Sequence, residues 1–442
     1  MSMIAAGDLQ PTDYFWIQRS TESAGSRDRR IAAGVFLSPA LPASKELHMV
    51  WSPAIEGYTP AGNYNDPLRV HSSADFDAAM HAALATGKYV FLREDEPFLT
   101  KGQRRGSDED GWEGFAFASG TSAAIVGQGR DVILRLDPAT VVPSYSIAVI
   151  SKAGELRTSW SRVENVTVDC NAQNVSNPHD VAIMAVFLNG LGNQIRGVGC
   201  INHYGSWSAG TECFGIALLG GYSETDLGYH NLIEYCFADS PQGTYCTGIC
   251  NFEGAPVTSP SQGGTRNCTV RNHTGVATSS FMNGFAQYGG LHIGNTAIDC
   301  NYGMRMEKCA DVTVLGFTAL GIRQEGFSIA PNGASCTNIK LAHGTIEMAP
   351  QSFANHALLV QDFGGSAITR GFSATDVTLR RSASGGTIYG VAMFGSGATG
   401  GQGVRLIDLI CDPSFSHYQA SDVYRRGCRA PDNSAISALA DT

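Results

Sequence analysis

The sequence predicts an all-β fold, a right-handed single-stranded parallel β-helix with a short N-terminal capping helix. A β-branched run, a Cys or small residue, an Asn or Gly turn and a second apolar run recur, at first about every 30 to 36 residues. Runs of Val, Ile and Thr separated by Asn and Gly favour a β-solenoid over a helical repeat. The 52 glycines suit its many tight turns. The copies begin at Asn165, Ile195, Asn231, Asn267, Thr296, Asp311, Asn338 and Asp376.

Four parts are predicted along the 442 residues. Residues 1–60 are rich in Pro, Ser and Ala and lack the repeated phrase, so they form a leader. Residues 61–100 hold the capping helix and the first strand. Residues 101–415 form the β-helix, and residues 416–442 lose the pattern and form a C-terminal cap or tail.

The helix is predicted because apolar residues recur at helical spacing before the stop residue Gly87, and a strand follows at 88–92. A solenoid needs such a cap, since its first coil would otherwise expose its apolar interior and unpaired backbone groups. The apolar positions are Phe76, Ala79, Met80, Ala83 and Leu84.

All 12 cysteines lie between Cys170 and Cys428. Their small, apolar side chains favour a stacked ladder of buried free thiols, although disulfides between coils and metal binding stay open. No metal site and no cofactor is predicted. The ladder positions are Cys170, Cys200, Cys236, Cys268 and Cys300.

Charge and hydropathy exclude other classes of protein. A net charge of -10 argues against a nucleic-acid partner, because phosphate binding needs clustered Lys and Arg. No apolar run has the length of a membrane span, so no membrane insertion is expected. The first residues show no signal-peptide pattern, so we expect synthesis in the cytoplasm without one.

The predicted helix and strand, the turn IVGQGR at 125–130 and the Gly- and Asn-rich coils resemble the pectate-lyase-like β-helix superfamily, especially its bacteriophage tailspikes. The resemblance covers roughly residues 65 to 410. It implies a homotrimer that binds, and often cuts, bacterial surface polysaccharide along an outer groove.

The leader, from Gly7 to Ser38, resembles the segment that attaches many tail-fibre and tailspike proteins to the virion. It implies a virion tail or baseplate partner and a location in the virion tail. Two alternatives stay open: a free polysaccharide lyase or glycoside hydrolase, and a non-enzymatic structural component of a phage particle. The residues that match are Asp13, Tyr14, Trp16, Arg29, Arg30 and Ile31.

Glycoside hydrolysis needs two carboxyl groups on either side of the bond. Acids from Glu212 to Glu325 are candidates, and Glu234 and Asp239 share one coil with aromatic neighbours. A lyase would instead use a base such as Arg, Lys, His or Tyr, and a solvated surface acid is the alternative for each carboxylate. The predicted catalytic residues are Glu234, Asp239, Asp299 and Glu307.

Sugar binding is predicted at insertions that interrupt the repeat after Cys200 and Cys213, because long loops on a rigid scaffold are frequent binding sites. Packing of these loops onto the solenoid is the alternative. The predicted binding residues are Tyr204, Trp207, Tyr229 and His230 from the insertions, with Arg305 from a later strand.

Overall fold

The computed structural model contains three parallel β-sheets that run the length of a β-helix, with one α-helix at its N-terminal end. It describes residues 14–16, 30–32, 47–51, 68–69, 73–85, 89–92, 97–101, 115–117, 123–144, 146–152, 158–219, 231–252, 263–274, 281–287, 289–307, 309–331, 335–351, 355–362, 369–395, 403–418, 423–432 and 434.

Each coil contributes one strand to sheet 1, then one to sheet 2 and one to sheet 3, and each strand pairs with its counterpart in the next coil. The 14 strands of sheet 1 are Leu47–Trp51, Leu68–Arg69, Tyr89–Leu92, Ala124–Gly127, Arg162–Glu164, Gln194–Arg196, Leu232–Glu234, Gly264–Arg266, Leu291–Ile293, Thr313–Leu315, Lys340–Ala342, Ser373–Thr375, Val404–Ile407 and Val423–Arg426. The 11 strands of sheet 2 are Phe98–Thr100, Ile133–Leu136, Thr167–Asp169, Gly199–Ile201, Phe237–Asp239, Thr269–Arg271, Thr296–Ile298, Thr318–Ile322, Thr345–Met348, Thr378–Arg381 and Ile410–Cys411.

Sheet 3 has the longest strands, and two small pairs lie outside the three sheets. The 12 strands of sheet 3 are Phe115–Phe117, Ile147–Lys152, Thr158–Ser159, Ile183–Leu191, Cys213–Leu219, Tyr245–Phe252, Phe281–Gln287, Tyr302–Met306, Glu325–Ile329, Asn355–Asp362, Ile388–Gly395 and Ser416–Tyr418. The two pairs are the antiparallel Tyr14–Trp16 with Arg30–Ala32 and the parallel Cys336–Thr337 with Thr369–Arg370.

The corner between sheets 1 and 2 explains the Asn and Gly punctuation of the sequence. In ten consecutive coils, the residue directly after the sheet-1 strand has a positive φ, between 52° and 69°. Glycine tolerates this left-handed conformation, and Asn and Asp adopt it more readily than other residues. These residues are Asn165, Gly197, Tyr235, Asn267, Gly294, Gly316, His343, Asp376, Asp408 and Gly427.

The predicted helix is confirmed as Ser73–Ala85, and the predicted strand as Tyr89–Leu92. The ring of Phe76 stacks on Phe98 of sheet 2 at 4.9 Å between centroids and meets Phe115 of sheet 3 edge-on at 5.2 Å. The helix therefore packs on the first coil, as the cap hypothesis requires. Strands Leu47–Trp51 and Val423–Arg426 join sheet 1, so this sheet extends into both predicted terminal parts.

All twelve cysteines are buried and free, as expected, but they do not form the single predicted ladder. Cys236 and Cys268 stack directly, each just before a sheet-2 strand. Cys200 lies within such a strand and contacts Cys170, which follows one, as Cys300 also does. These thiols therefore meet in pairs and do not form one column.

Phenylalanines fill the interior of the later coils, where Phe317 meets Phe285 and Phe327 edge-on at 6.3 and 6.4 Å. Phe317→Ala is expected to lower the free energy of unfolding by about 3–5 kcal/mol, because it leaves a cavity among buried rings. Phe237→Ala, on the half-buried outer face of sheet 2, should cost about 1 kcal/mol or less. Chemical denaturation of both variants measures the difference, and equal losses would contradict the assigned interior.

Candidate active site

A row of glycines decides which side chains of sheet 3 point outward. A Cβ atom on Gly248 would lie 2.4 Å from the Val270 side chain, and one on Gly326 would lie 2.3 Å from Ile346. Val270 and Ile346 belong to the interior face of sheet 2, so these glycines face inward where sheets 2 and 3 approach closely. The residue before each glycine faces outward, because neighbours on a strand alternate between faces.

These outward residues are paired strand by strand and form one row across sheet 3, here called row A. A second outward row, row B, lies three residues further along each strand. The residue after each inward glycine, such as Ile249 or Met304, also packs in the interior, so the alternation is shifted by one residue and row B faces outward again. Row A consists of Phe214, Thr247, Asn283, Tyr302, Glu325, His356 and Tyr389. Row B consists of Ala217, Cys250, Ala286, Arg305, Ser328, Leu359 and Ala392.

Glu212 lies directly before a sheet-3 strand, at the end of the insertion after Cys200. Its carboxylate oxygen accepts a hydrogen bond from Thr247 Oγ1 at 3.3 Å, and Asn283 Nδ2 donates to the same hydroxyl at 3.0 Å. Burial raises the pKa of Glu212 to about 7, while hydrogen bonds from Tyr245 and Thr247 partly oppose the shift. Glu212 therefore exchanges its proton near neutral pH.

Arg305 and Glu307 form an ion pair at 2.6 Å, with only 16% and 15% of their side chains exposed. Both act electrostatically on Glu212: Glu307 raises its pKa and Arg305 lowers it. Both also act on Tyr245, whose pKa is raised by burial and by Glu212. Glu212, Tyr245, Arg305 and Glu307 thus form one electrostatic cluster.

A second acid and tyrosine lie on the other side of Arg305. Burial raises the pKa of Glu325, and Arg305 and a hydrogen bond from Ser328 oppose the shift. Burial and Glu325 raise the pKa of its strand neighbour Tyr302. Both tyrosines are therefore held as hydrogen-bond donors rather than as bases.

His356 continues row A beside Glu325. Burial lowers the pKa of His356 to about 4, so its imidazole is neutral at neutral pH. The ring stacks on Tyr389 at 5.3 Å between centroids. The outer face of sheet 3 thus combines protonatable acids, phenols and flat rings, the groups that acid–base chemistry on a sugar requires.

The structure does not bring the four predicted catalytic acids together. Glu234 lies on sheet 1 between Arg196 and Arg266, at 3.6 and 3.7 Å. Asp239 lies on sheet 2, 2.9 Å from Arg271. Asp299 is an exposed corner residue after sheet 2, with a φ of 51°. Glu307 is in the cluster on sheet 3.

Of the predicted binding residues, Arg305 lies inside the cluster and Trp207 at its edge. The Trp207 indole, 43% exposed, meets the Tyr245 ring edge-on at 5.1 Å. The Tyr204 hydroxyl donates to Asp180, which packs the insertion onto the solenoid. Tyr229 and His230 lie outside the described residues.

The sequence contains a signal for this site that the repeated phrase does not show. Glu212 and Glu325 are among the candidate acids but not among the four predicted catalytic residues, and Tyr302 is not among the predicted site residues. Six of the seven row A residues are followed directly by Gly in the sequence, as FG, TG, NG, YG, EG and YG. Aligning the coils on that glycine would have brought the outward residues together.

Two further features are absent from the described residues. Among them, no three His, Cys, Asp or Glu side chains converge as a metal site. None of their helices is long and apolar enough to cross a membrane.

No protein-family model and no curated protein matches the chain. The tailspike protein of E. coli bacteriophage HK620, in complex with a pentasaccharide, is 10% identical, with a TM-score of 0.51 over 96% of this chain and 71% of that one. The Dettilon tailspike is 10% identical, with a TM-score of 0.50 over 89% and 68%. The A-module of the Azotobacter vinelandii mannuronan C-5 epimerase AlgE4 is 14% identical, with a TM-score of 0.42 over 79% and 96%.

At these identities, the tailspike matches show a shared fold and nothing finer. The chain is a parallel β-helix, and its fold is similar to that of these two phage tailspikes.

The raised pKa of Glu212 predicts a specific effect of pH on stability. The folded protein keeps the Glu212 proton up to about pH 7, whereas an unfolded glutamate loses it near the ordinary value of 4.5. The contribution of Glu212 to stability is therefore present at low pH and is lost as pH rises from 4.5 to about 7.

Relative to Glu212→Gln, the wild type should lose up to about 3 kcal/mol of unfolding free energy across this window. Denaturant melts of both proteins at several pH values measure the difference. A constant difference between the two proteins would contradict the raised pKa.

Proposed function

We propose that this protein binds a bacterial surface polysaccharide and hydrolyses it on the outer face of sheet 3. The observation that carries the proposal is Glu212, a carboxyl group with a pKa of about 7 beside the ion pair of Arg305 and Glu307. A general acid works best when its pKa lies near the working pH, and burial is the usual means of raising a carboxyl group to that value.

In the proposed reaction, Glu212 gives its proton to the glycosidic oxygen as the bond from that oxygen to the anomeric carbon breaks. Water adds to the anomeric carbon, and its proton passes to the Glu307 carboxylate, which Arg305 holds in place. The hydrogen bonds of Glu212 are with Tyr245 and Thr247, and Glu307 acts on it only through space. A water molecule between the two carboxyl groups corresponds to the inverting mechanism.

The remaining groups of the face are suited to holding sugar. Tyr302 keeps its hydroxyl proton, the amide oxygen Oδ1 of Asn283 is an acceptor without a partner among the described residues, and Trp207 presents an exposed ring. Aromatic faces with a few polar groups that fix orientation are typical of binding sites on rigid scaffolds.

A lyase is the second candidate, and one observation favours it. His356 is neutral at neutral pH and lies beside Glu325, so it could accept a proton from a sugar carbon. Tyr245 and Tyr302 do not fit this role, because their pKa values are raised. The products separate the two reactions, since a lyase leaves an unsaturated sugar that absorbs ultraviolet light and a hydrolase does not.

We further propose the role of a tailspike, a homotrimer carried on a phage tail as a receptor-binding protein. The shared fold with two phage tailspikes and the leader resemblance support this role. A non-enzymatic structural component would share the fold but would have no need of a protonated acid at the surface.

Glu212→Gln should lower the rate of polysaccharide cleavage by about 10²–10⁴-fold, because the amide cannot donate the proton, while binding is retained. The matched control is Glu347→Gln on the outer face of sheet 2, whose carboxylate pairs with Arg380 at 2.9 Å. Reducing-end release from purified capsule or lipopolysaccharide measures the rate. Loss of activity in Glu234→Gln instead would move the site to sheet 1.

In the wild type, cleavage should fall as pH rises through about 7, because Glu212 then loses its proton. The pH profile of kcat/KM measures this limb. A rate that rises through the same range would exclude Glu212 as the acid.

Deletion of residues 1–46, which keeps the sheet-1 strand Leu47–Trp51, tests the tailspike role. We expect a folded solenoid that still binds polysaccharide but no longer joins phage particles. Particle incorporation is measured by immunoblot of purified virions, and circular dichroism controls for folding. Incorporation of the truncated protein would contradict an attachment role for the leader.

A further inference from the structure

We infer that the glycan bound on sheet 3 is neutral at the site of cleavage and is not a uronate or sialate polymer. This inference rests on the proposed function and names the substrate class of the same site. The inference follows from the balance of charges on and beside rows A and B, and from the ion pair between Arg305 and Glu307.

Acids outnumber bases on this face. Rows A and B contain the acid Glu325 and the base Arg305, and the acids Glu212 and Glu307 lie beside them, while Arg323 lies at the turn before the strand of Glu325. Glu212 and Glu325 carry raised pKa values because burial disfavours their charge. The burial that disfavours the ionised forms of these two side chains also disfavours a ligand carboxylate at the same place.

The guanidinium group of Arg305 is already engaged. It lies 2.6 Å from Glu307 and is only 16% exposed. A uronate would have to displace Glu307 to pair with Arg305, and it would leave that carboxylate buried beside a second negative charge. Breaking a buried pair in this way is strongly unfavourable.

The sequence around the site adds more acids than bases. Between residues 220 and 402, the segments outside the described residues contain three acids, Glu224, Asp226 and Glu253, but one base, Lys308. The whole chain carries a net charge of -10. Acidic polymers are therefore repelled at long range as well as at the site.

The polar groups present suit hydroxyls instead. Carboxylates accept hydrogen bonds from sugar hydroxyls, and the amide oxygen Oδ1 of Asn283, which is buried and has no hydrogen-bond partner among the described residues, is a further acceptor. A neutral sugar satisfies these groups without bringing in an unpaired charge, which a desolvated site penalises.

The test uses Glu212→Gln, which mimics the protonated acid and does not cleave. Purified bacterial polysaccharides, half of them neutral and half containing uronate or sialate, are screened for binding by calorimetry. We expect the bound polymers to be neutral. A bound acidic polymer whose affinity falls when its carboxyl groups are reduced to alcohols would overturn the inference.

A bound neutral polymer is then compared with the same polymer after its primary hydroxyls are oxidised to carboxylates. Oxidation should weaken binding about tenfold or more, because it brings like charges together. Adding Glu325→Gln should recover about threefold or more of that loss, since it removes one acid from the face. Unchanged or tighter binding of the oxidised polymer would overturn the inference.

The two proposals fail in different ways. Cleavage of a neutral polymer by Glu212→Gln at the wild-type rate would refute the proposed hydrolysis but leave the charge selectivity standing. Selective binding of acidic polymers would refute the charge inference. The role of Glu212 as the general acid would still be tested by the cleavage rate of Glu212→Gln.

Discussion

The structure depends on one constraint, the residue-for-residue pairing of parallel strands in successive coils. Adjacent strands are held about 4.8 Å apart by backbone hydrogen bonds, so any position in one coil lies directly beside the same position in the next. Ten coils in a row therefore place a left-handed residue at the corner after sheet 1. The inward glycines of sheet 3 form another such column. The residues directly before them face outward and form row A.

The same constraint makes the outer face of sheet 3 chemically unusual. Long side chains from neighbouring strands are packed side by side, and they bury one another although they point away from the interior. Tyr302 is 7% exposed and Ser328 1% exposed, both on this outer face. Burial then disfavours the charged forms of Glu212 and Glu325, with Arg305 as the shared counter-charge.

Repetition and interruption contribute to the site in different ways. The repeat supplies Thr247, Asn283 and Tyr302 at one register position of successive coils. The insertion after Cys200 supplies Glu212 and Trp207, the acid and the exposed ring at the edge of the site. In a regular coil each side chain belongs to the interior, a corner or a sheet face, so only an insertion can add side chains at the edge of a sheet.

The sequence by itself determined the solenoid, its capping helix and its corner turns, because these follow from local periodicity and from the φ preference of Asn, Asp and Gly. It also pointed to Arg305, Glu307 and Trp207. Only the tertiary structure places Glu212, Tyr245 and Glu325 beside these residues. It also places Glu234 on sheet 1 and Asp239 on sheet 2, away from them. Coils of unequal length hide the register in the sequence, and a raised pKa arises from burial by residues that are distant along the chain.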